Sequence, residues 1–259
     1  MNQRFSKVIA LLYAVLVYSF LYVPIVILVV FSFNQSKLNA VWTGFTFEWY
    51  GKLWTNSHVL DAVKVTLIVA FISVVIATML GTLVSVGMYK YQFKGKTALD
   101  GLLYIPLVIS EIVLGISLLA FFSMVKIPLG LITLIIAHIT FCLPFVVVTV
   151  RARLQGFDKS LEEAAMDLGA NEWQTFTRIT LPIIGPAIMA GALLAFTISM
   201  DDVIVSFFVS GPGSTTLPMQ IFSMVKQGVT PEINALSTIM LLVTIMIVIF
   251  AEWLRFRKG

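Results

Sequence analysis

The strongest constraint in this sequence is a set of long runs without charge. Residues 8–33 pass 26 positions with no Asp, Glu, Lys, Arg or His. Further runs cover 65–89, 101–125, 127–150, 183–209 and 233–251; only Glu111 interrupts the third and only Asp201 and Asp202 the fifth. A bilayer core of about 30 Å takes roughly 20 apolar residues of helix. Lipid cannot satisfy a bare backbone, so such runs are helices or strands of a closed barrel. A barrel needs alternating segments of about 10 residues, and these runs show no strict alternation. The expected fold is therefore all-α: a polytopic membrane protein with six transmembrane helices in one domain over 1–259. Composition agrees, with 59% hydrophobic and 12% charged residues and a mean hydropathy of +1.00. Typical soluble domains carry about 25% charged residues. A soluble enzyme, a disordered chain and a disulfide scaffold are excluded on these grounds.

The first run follows Arg4 and Lys7 as a signal peptide would, but is far longer than a signal h-region of about 7–15 residues. An uncleaved anchor is expected. Basic residues set orientation. One set of flanking segments holds twelve: Arg4, Lys7, Lys90, Lys94, Lys96, Arg151, Arg153, Lys159, Arg178, Arg255, Arg257 and Lys258. The opposite set holds five: Lys37, Lys52, Lys64, Lys126 and Lys226. Both termini and loop 151–182 are thus expected in the cytoplasm, with 34–64 and 210–232 outside. This asymmetry places the net charge of +4 on one side of a membrane, so no nucleic-acid partner is expected. The lone Cys142 reads as a buried thiol.

Catalytic signatures are weak. Gly95-Lys96 has Lys90 where a P-loop requires its first glycine, so the chain is not expected to cradle a nucleotide. His58 and His138 lie far apart and no metal site is expected. Ser117 and His138 admit an intramembrane serine-protease dyad. Leu118, however, replaces the small residue of the G-x-S-G pattern, and a membrane serine ordinarily bonds its own helix at i−4.

Loop 151–182 carries the clearest pattern. Ser160 and Glu163 have capping-box spacing, and Leu161, Ala164, Ala165 and Leu168 share one helical face. Gly169 is placed to end that helix in a left-handed conformation. Asn171, with Gln174 three residues on, opens a second helix whose apolar side includes Trp173, Phe176 and Ile179. Leu181-Pro182 marks the end of the loop. Such a hairpin could lie on lipid. Glu162, Glu163 and Asp167 suit an anionic leaflet poorly, so a protein partner is favoured.

Here the chain resembles a known family. Glu163-Ala164-Ala165, Gly169 and Ile179-x-Leu181-Pro182 match the EAA–G–I-x-L-P loop of permease subunits in bacterial ABC importers. Residues 138–150, 199–203, 211–212 and 223–236 extend the resemblance along the chain, with most similarity to spermidine/putrescine permeases. Iron, thiamine and phosphonate permeases share much of the fifth run. The resemblance implies the type I importer (MetI-like) fold, with core helices over about 60–254. It implies that Glu163, Ala164, Ala165 and Gly169 couple the permease to an ATPase. It further implies a second permease, a dimer of ATPase subunits that use ATP and magnesium, and an extracytoplasmic polyamine-binding protein. The chain itself would bind no cofactor and catalyse no reaction. Its place would be the bacterial inner membrane.

Three acids remain inside the runs. A charged residue at mid-bilayer costs about 2.5–3.5 kcal/mol on insertion scales. Glu111 sits about ten residues, roughly 15 Å, into the third run. Asp201 and Asp202 lie in the outer third of the fifth. Spaced carboxylates suit a polyammonium ion, and the expected substrate path therefore includes Glu111, Asp201 and Asp202. Neighbouring residues point about 100° apart on a helix, so one aspartate can face the path while the other bonds within the protein; either order is possible. Bonding to a sibling subunit and a proton-relay carrier are the competing readings, but the chain lacks the inverted repeat usual in carriers. Pro106 and Pro144 are possible kinks.

Overall fold

The computed structural model describes residues 3–36 and 41–256. Lys37, Arg257 and Lys258, which contribute to the charge asymmetry, lie outside them. The described chain is almost entirely helical, as the charge-free runs require. Successive helices are α1 (Gln3–Phe31), α2 (Glu48–Thr55), α3 (Ser57–Lys90), α4 (Lys96–Val108), α5 (Glu111–Val125) and α6 (Leu131–Gln155). Then come α7 (Ser160–Asp167), α8 (Glu172–Thr175), a π-helical turn (Phe176–Thr180), α9 (Leu181–Asp201), α10 (Ile204–Val209), α11 (Leu217–Gln227) and α12 (Pro231–Phe256).

Among the described residues, four stretches are long and apolar enough to cross a bilayer: Ile9–Phe31, Ser57–Lys90, Leu131–Gln155 and Glu172–Asp201. The pair α4 and α5 adds a fifth if counted as one broken span, and Pro231–Ile247 is a shorter apolar stretch. The third run is therefore not the continuous helix expected. It bends by 115° between Val108 and Glu111. Ile109 and Ser110 are extended there, and the Ser110 hydroxyl caps α5 by accepting from Val113 N–H. Pro106 is accommodated inside α4; the break comes three residues later, where a cap is available.

The chain groups into two compact units. The first comprises Met1–Leu60 and Ile221–Met246. No residue in the apolar window of α1 is buried. Beyond α1 the chain folds around buried Asn34. Its Nδ2 donates to Val41 O at 2.9 Å, its Oδ1 accepts from Thr43 N at 3.1 Å, and its carbonyl accepts from Trp49 Nε1 at 2.7 Å. One asparagine thus satisfies a turn that has almost no regular ladder.

The second unit comprises Asp61–Gln220 and Ile247–Gly259. Its core lies along α6, where Leu134, Ala137, Cys142, Val146, Val150 and Leu154 are fully buried. The thiol of Cys142 donates to Ala195 O. Val146 is gripped between two glycines. A Cβ on Gly81 would stand 2.9 Å from Val146 Cγ1, and one on Gly191 3.2 Å from Val146 Cα. Small residues let helices approach closely where lipid supplies no hydrophobic drive. Ser85 reinforces the contact by donating to Gly81 O and Val147 O. These contacts seat α3 and α9 against α6, and so position both the hairpin at 157–180 and the aspartates at the end of α9.

Candidate functional site

The hairpin at 157–180 is built from local caps. Its first helix, α7, does not use the Ser160–Glu163 box. The chain enters one residue early in helical conformation at Lys159, so Ser160 already lies in the first turn. Asp158 takes the capping role, accepting from Ser160 N at 2.9 Å. Hydrogen bonds from the Ser160 amide and hydroxyl hold the Asp158 carboxyl below its usual range. The C-terminus meets expectation. Gly169 adopts φ +89°, Ala170 N reaches Ala165 O, and Gly169 N reaches Met166 O. This is the paired bonding of a Schellman motif. The second helix opens as expected: Asn171 Oδ1 accepts from Gln174 N at 2.9 Å, and Gln174 Oε1 accepts from Asn171 N at 3.1 Å.

Leu181-Pro182 does not interrupt the backbone. Helix α8, the π-turn and α9 form one continuous 30-residue helix, Glu172–Asp201. Proline cannot donate to residue i−4 and crowds its carbonyl. The π-turn absorbs this, with Leu181 N bonding Phe176 O, five residues back. At 1.5 Å per residue the rod is about 45 Å long. It joins the hairpin directly to Asp201.

The hairpin presents an unfilled apolar surface. Leu168 is 90% exposed and Trp173 71% exposed, with Leu161 and Met166 also open. Ala164 and Glu163 are exposed, Ala165 half-buried. Glu162 turns the other way. It pairs with Lys90 Nζ at 2.9 Å and accepts from the Thr180 hydroxyl. Sequence reasoning grouped Glu162 with the other acids of this helix. The inward helical position of Glu162 was the available signal, and the basic end of α3 was its available partner.

The far end of the rod carries the two aspartates. Helix α9 stops at Asp201 and Asp202 is extended. The Asp202 side chain is only 5% exposed. It caps α10, accepting from Val205 N at 3.2 Å, Ser206 N at 2.7 Å and Ser206 Oγ at 2.6 Å. With that hydroxyl proton committed to Asp202, His138 Nε2 donates to Ser206 Oγ at 3.0 Å. His138 Nδ1 then accepts from Ser199 Oγ at 2.8 Å. The network joins α6, α9 and α10. Asp201, in contrast, is exposed. Glu111 is exposed as the first residue of α5, rather than deep in a straight span. Helix α10 packs against α5, and Gly115 makes room for Phe208, 2.5 Å from where its Cβ would stand. Both acid-bearing breaks thus lead into helices that touch.

The protease dyad finds no geometry here. Ser117 donates to Val113 O at 2.7 Å within its own helix, while His138 is held between Ser199 and Ser206.

Residues 73–256 match the family described as binding-protein-dependent transport system inner membrane component. The chain is 48% identical over 236 residues to the spermidine/putrescine transport system permease protein PotC of Escherichia coli K12, covering 91% of this chain and 89% of that protein. It is 47% identical to the protein of that name from Haemophilus influenzae, covering 91% and 92% of the two chains. The putrescine transport system permease protein PotI of Escherichia coli K12 is 44% identical, with 91% and 86% covered. Among solved structures, a bacterial ABC transporter involved in import of the acidic polysaccharide alginate superposes with a TM-score of 0.77 at 21% identity, covering 98% of this chain and 96% of that one. The MetNI methionine ABC transporter gives a TM-score of 0.65 at 18% identity, with 81% and 98% covered. The all-helical fold is that of ABC importer permeases, and the chain belongs to the family of binding-protein-dependent transport system inner membrane components.

Proposed function

We propose that this chain is the permease subunit of an ATP-driven importer that carries spermidine or putrescine across the bacterial inner membrane. The observation that carries this reading is 48% identity to a spermidine/putrescine permease along 91% of the chain. Glu111 and Asp201 line the substrate path, where exposed carboxylates stabilise ammonium groups in a low-dielectric cavity. Asp202 acts from behind them, holding open the break that ends α9. The exposed face of 161–173, with Glu163, Ala164, Ala165 and Gly169, docks on an ATPase subunit. ATP hydrolysis, and the magnesium it needs, belong to that partner. A second permease, an ATPase dimer and an extracytoplasmic polyamine-binding protein complete the complex. The whole chain works as one permease domain, with both termini and the hairpin cytoplasmic. Closure of the ATPase subunits moves the hairpin, and the continuous helix Glu172–Asp201 carries that movement to Asp201.

Uptake into proteoliposomes containing the assembled complex, with ATP enclosed and no proton gradient, tests the reading. Glu111→Gln and Asp201→Asn remove charge with little change in volume. Each should lower spermidine uptake about tenfold, or ~1.4 kcal/mol, with assembly intact. Loss should be smaller for divalent putrescine, because less charge must be stabilised. Wild-type spermidine uptake by both variants would defeat the acidic path. Uptake that requires a pH gradient and survives loss of ATP hydrolysis would defeat the importer.

A further inference from the structure

We infer that Glu162, Lys90 and Thr180 form a clamp that makes α3 a second output of the hairpin, so that ATPase movement reaches two transmembrane helices at once. This rests on the coupling role proposed for the hairpin and assigns the residues that transmit it. Adjacent Glu162 and Glu163 have opposite surroundings. The Glu163 side chain is exposed, with no ion pair among the described residues. Glu162 is 12% exposed and faces Lys90, 23% exposed, at 2.9 Å. Its same Oε1 accepts from Thr180 in the π-turn. One carboxylate therefore ties three elements: α7, the base of the long helix and the last residue of α3.

A second set of contacts secures the other limb. Tyr89, next to Lys90, packs edge-on against Phe157 at 6.4 Å between ring centroids. Its hydroxyl donates to Phe157 O at 3.4 Å, and Lys159 Nζ lies 5.2 Å from its ring centre. The end of α3 thus holds the hairpin where it begins and, through Glu162, where it turns back into the membrane. An exposed ion pair contributes little. This one is largely screened from water and shares an acceptor with a hydroxyl, so losing one member strands the other. A flexible junction would let the hairpin tilt without moving α3; a clamped one cannot.

The test uses the complete complex in proteoliposomes. Glu162→Gln and Lys90→Gln should each leave ATPase subunits bound and hydrolysing ATP, while spermidine carried per ATP falls about tenfold. The exchange Glu162→Lys with Lys90→Glu should recover most of that loss, because Thr180 can accept from an ammonium as readily as it donates to a carboxylate. Single variants that couple like wild type, or an exchange that couples no better than the singles, would overturn the clamp. A second measurement is independent of the substrate. Spin labels at Tyr91→Cys and Met166→Cys, both exposed, in a Cys142→Ser background should give a narrow distance distribution that broadens with Glu162→Gln. An unchanged narrow distribution would overturn the clamp even if the variants transport poorly. Leu168→Asp on the exposed face separates the two ideas. If it uncouples the complex while Glu162→Gln does not, only the clamp fails; if it leaves docking and coupling intact, the docking role of the hairpin fails.

Discussion

Asp201 and Asp202 are neighbours in sequence and opposites in circumstance. Asp202 accepts three hydrogen bonds in a buried site and, through Ser206, orients His138. Asp201 projects from the surface at the last turn of α9. Asp202→Ala should therefore destabilise the protein by about 2–3 kcal/mol, the scale of hydrogen bonds to a charged group left unmade. Asp201→Ala should change stability by less than about 0.5 kcal/mol, as surface substitutions usually do. Thermal unfolding of the purified permease in detergent reads both. Equal losses would mean that the cap at Asp202 is not what holds the break. On one continuous helix the two residues would point about 100° apart; in the structure they part because α9 ends at Asp201 and Asp202 is extended. The assignment of burial required His138, more than sixty residues away in sequence, to meet Ser199 and Ser206 on either side of Asp202.

Among the elements, the hairpin helix α7 begins with a carboxylate that the expected serine–glutamate box did not anticipate. Asp158 and Ser160 stand two residues apart, a spacing that satisfies the first-turn amide once Lys159 turns helical. Because Ser160 holds the Asp158 carboxyl below its ordinary value, the cap is fully present above the unfolded carboxylate pKa of about 3.9. It is lost as pH falls through the depressed native value. A spin label at Met166→Cys, in the Cys142→Ser background, should stay immobile on acidification past about pH 4 and loosen only below it. In Asp158→Ala it should be mobile throughout. Loosening well above pH 4 in the unsubstituted hairpin would contradict the cap. The π-turn is the other element-scale departure. Pro182 marked an ending in the sequence pattern, yet a five-residue hydrogen-bond register lets the backbone continue as one rod.

For the molecule as a whole, the orientation proposed from the asymmetry of basic residues can be tested directly. Single cysteines at Asp167 and Thr55, both exposed, in a Cys142→Ser background should react differently with a membrane-impermeant thiol reagent. In intact cells Thr55→Cys should label and Asp167→Cys should not; permeabilised cells should label both. Labelling of Asp167→Cys from outside would invert the proposed topology. The proposed orientation would put the exposed hairpin face on the side of an ATPase subunit, with Asp201 at the opposite end of the 30-residue helix.

By itself the sequence determined those features that arise from local chemistry. Charge-free runs of sufficient length demand helices in lipid. The Asn171–Gln174 cap and the Gly169 terminus need only residues a few positions apart, and both form as their spacing predicts. Tertiary structure decided the rest. Residues 101–125 read as one apolar run because hydropathy carries no direction; Ser110 supplies a cap and the chain turns by 115°. Glu111 therefore lies at a helix start on the surface rather than in the middle of a span. Glu162 and Glu163 differ in role because Lys90, more than seventy residues away in sequence, packs beside only one of them. Local spacing specifies helices and their ends, but burial and pairing depend on which distant surfaces meet, and only the folded chain brings those surfaces together.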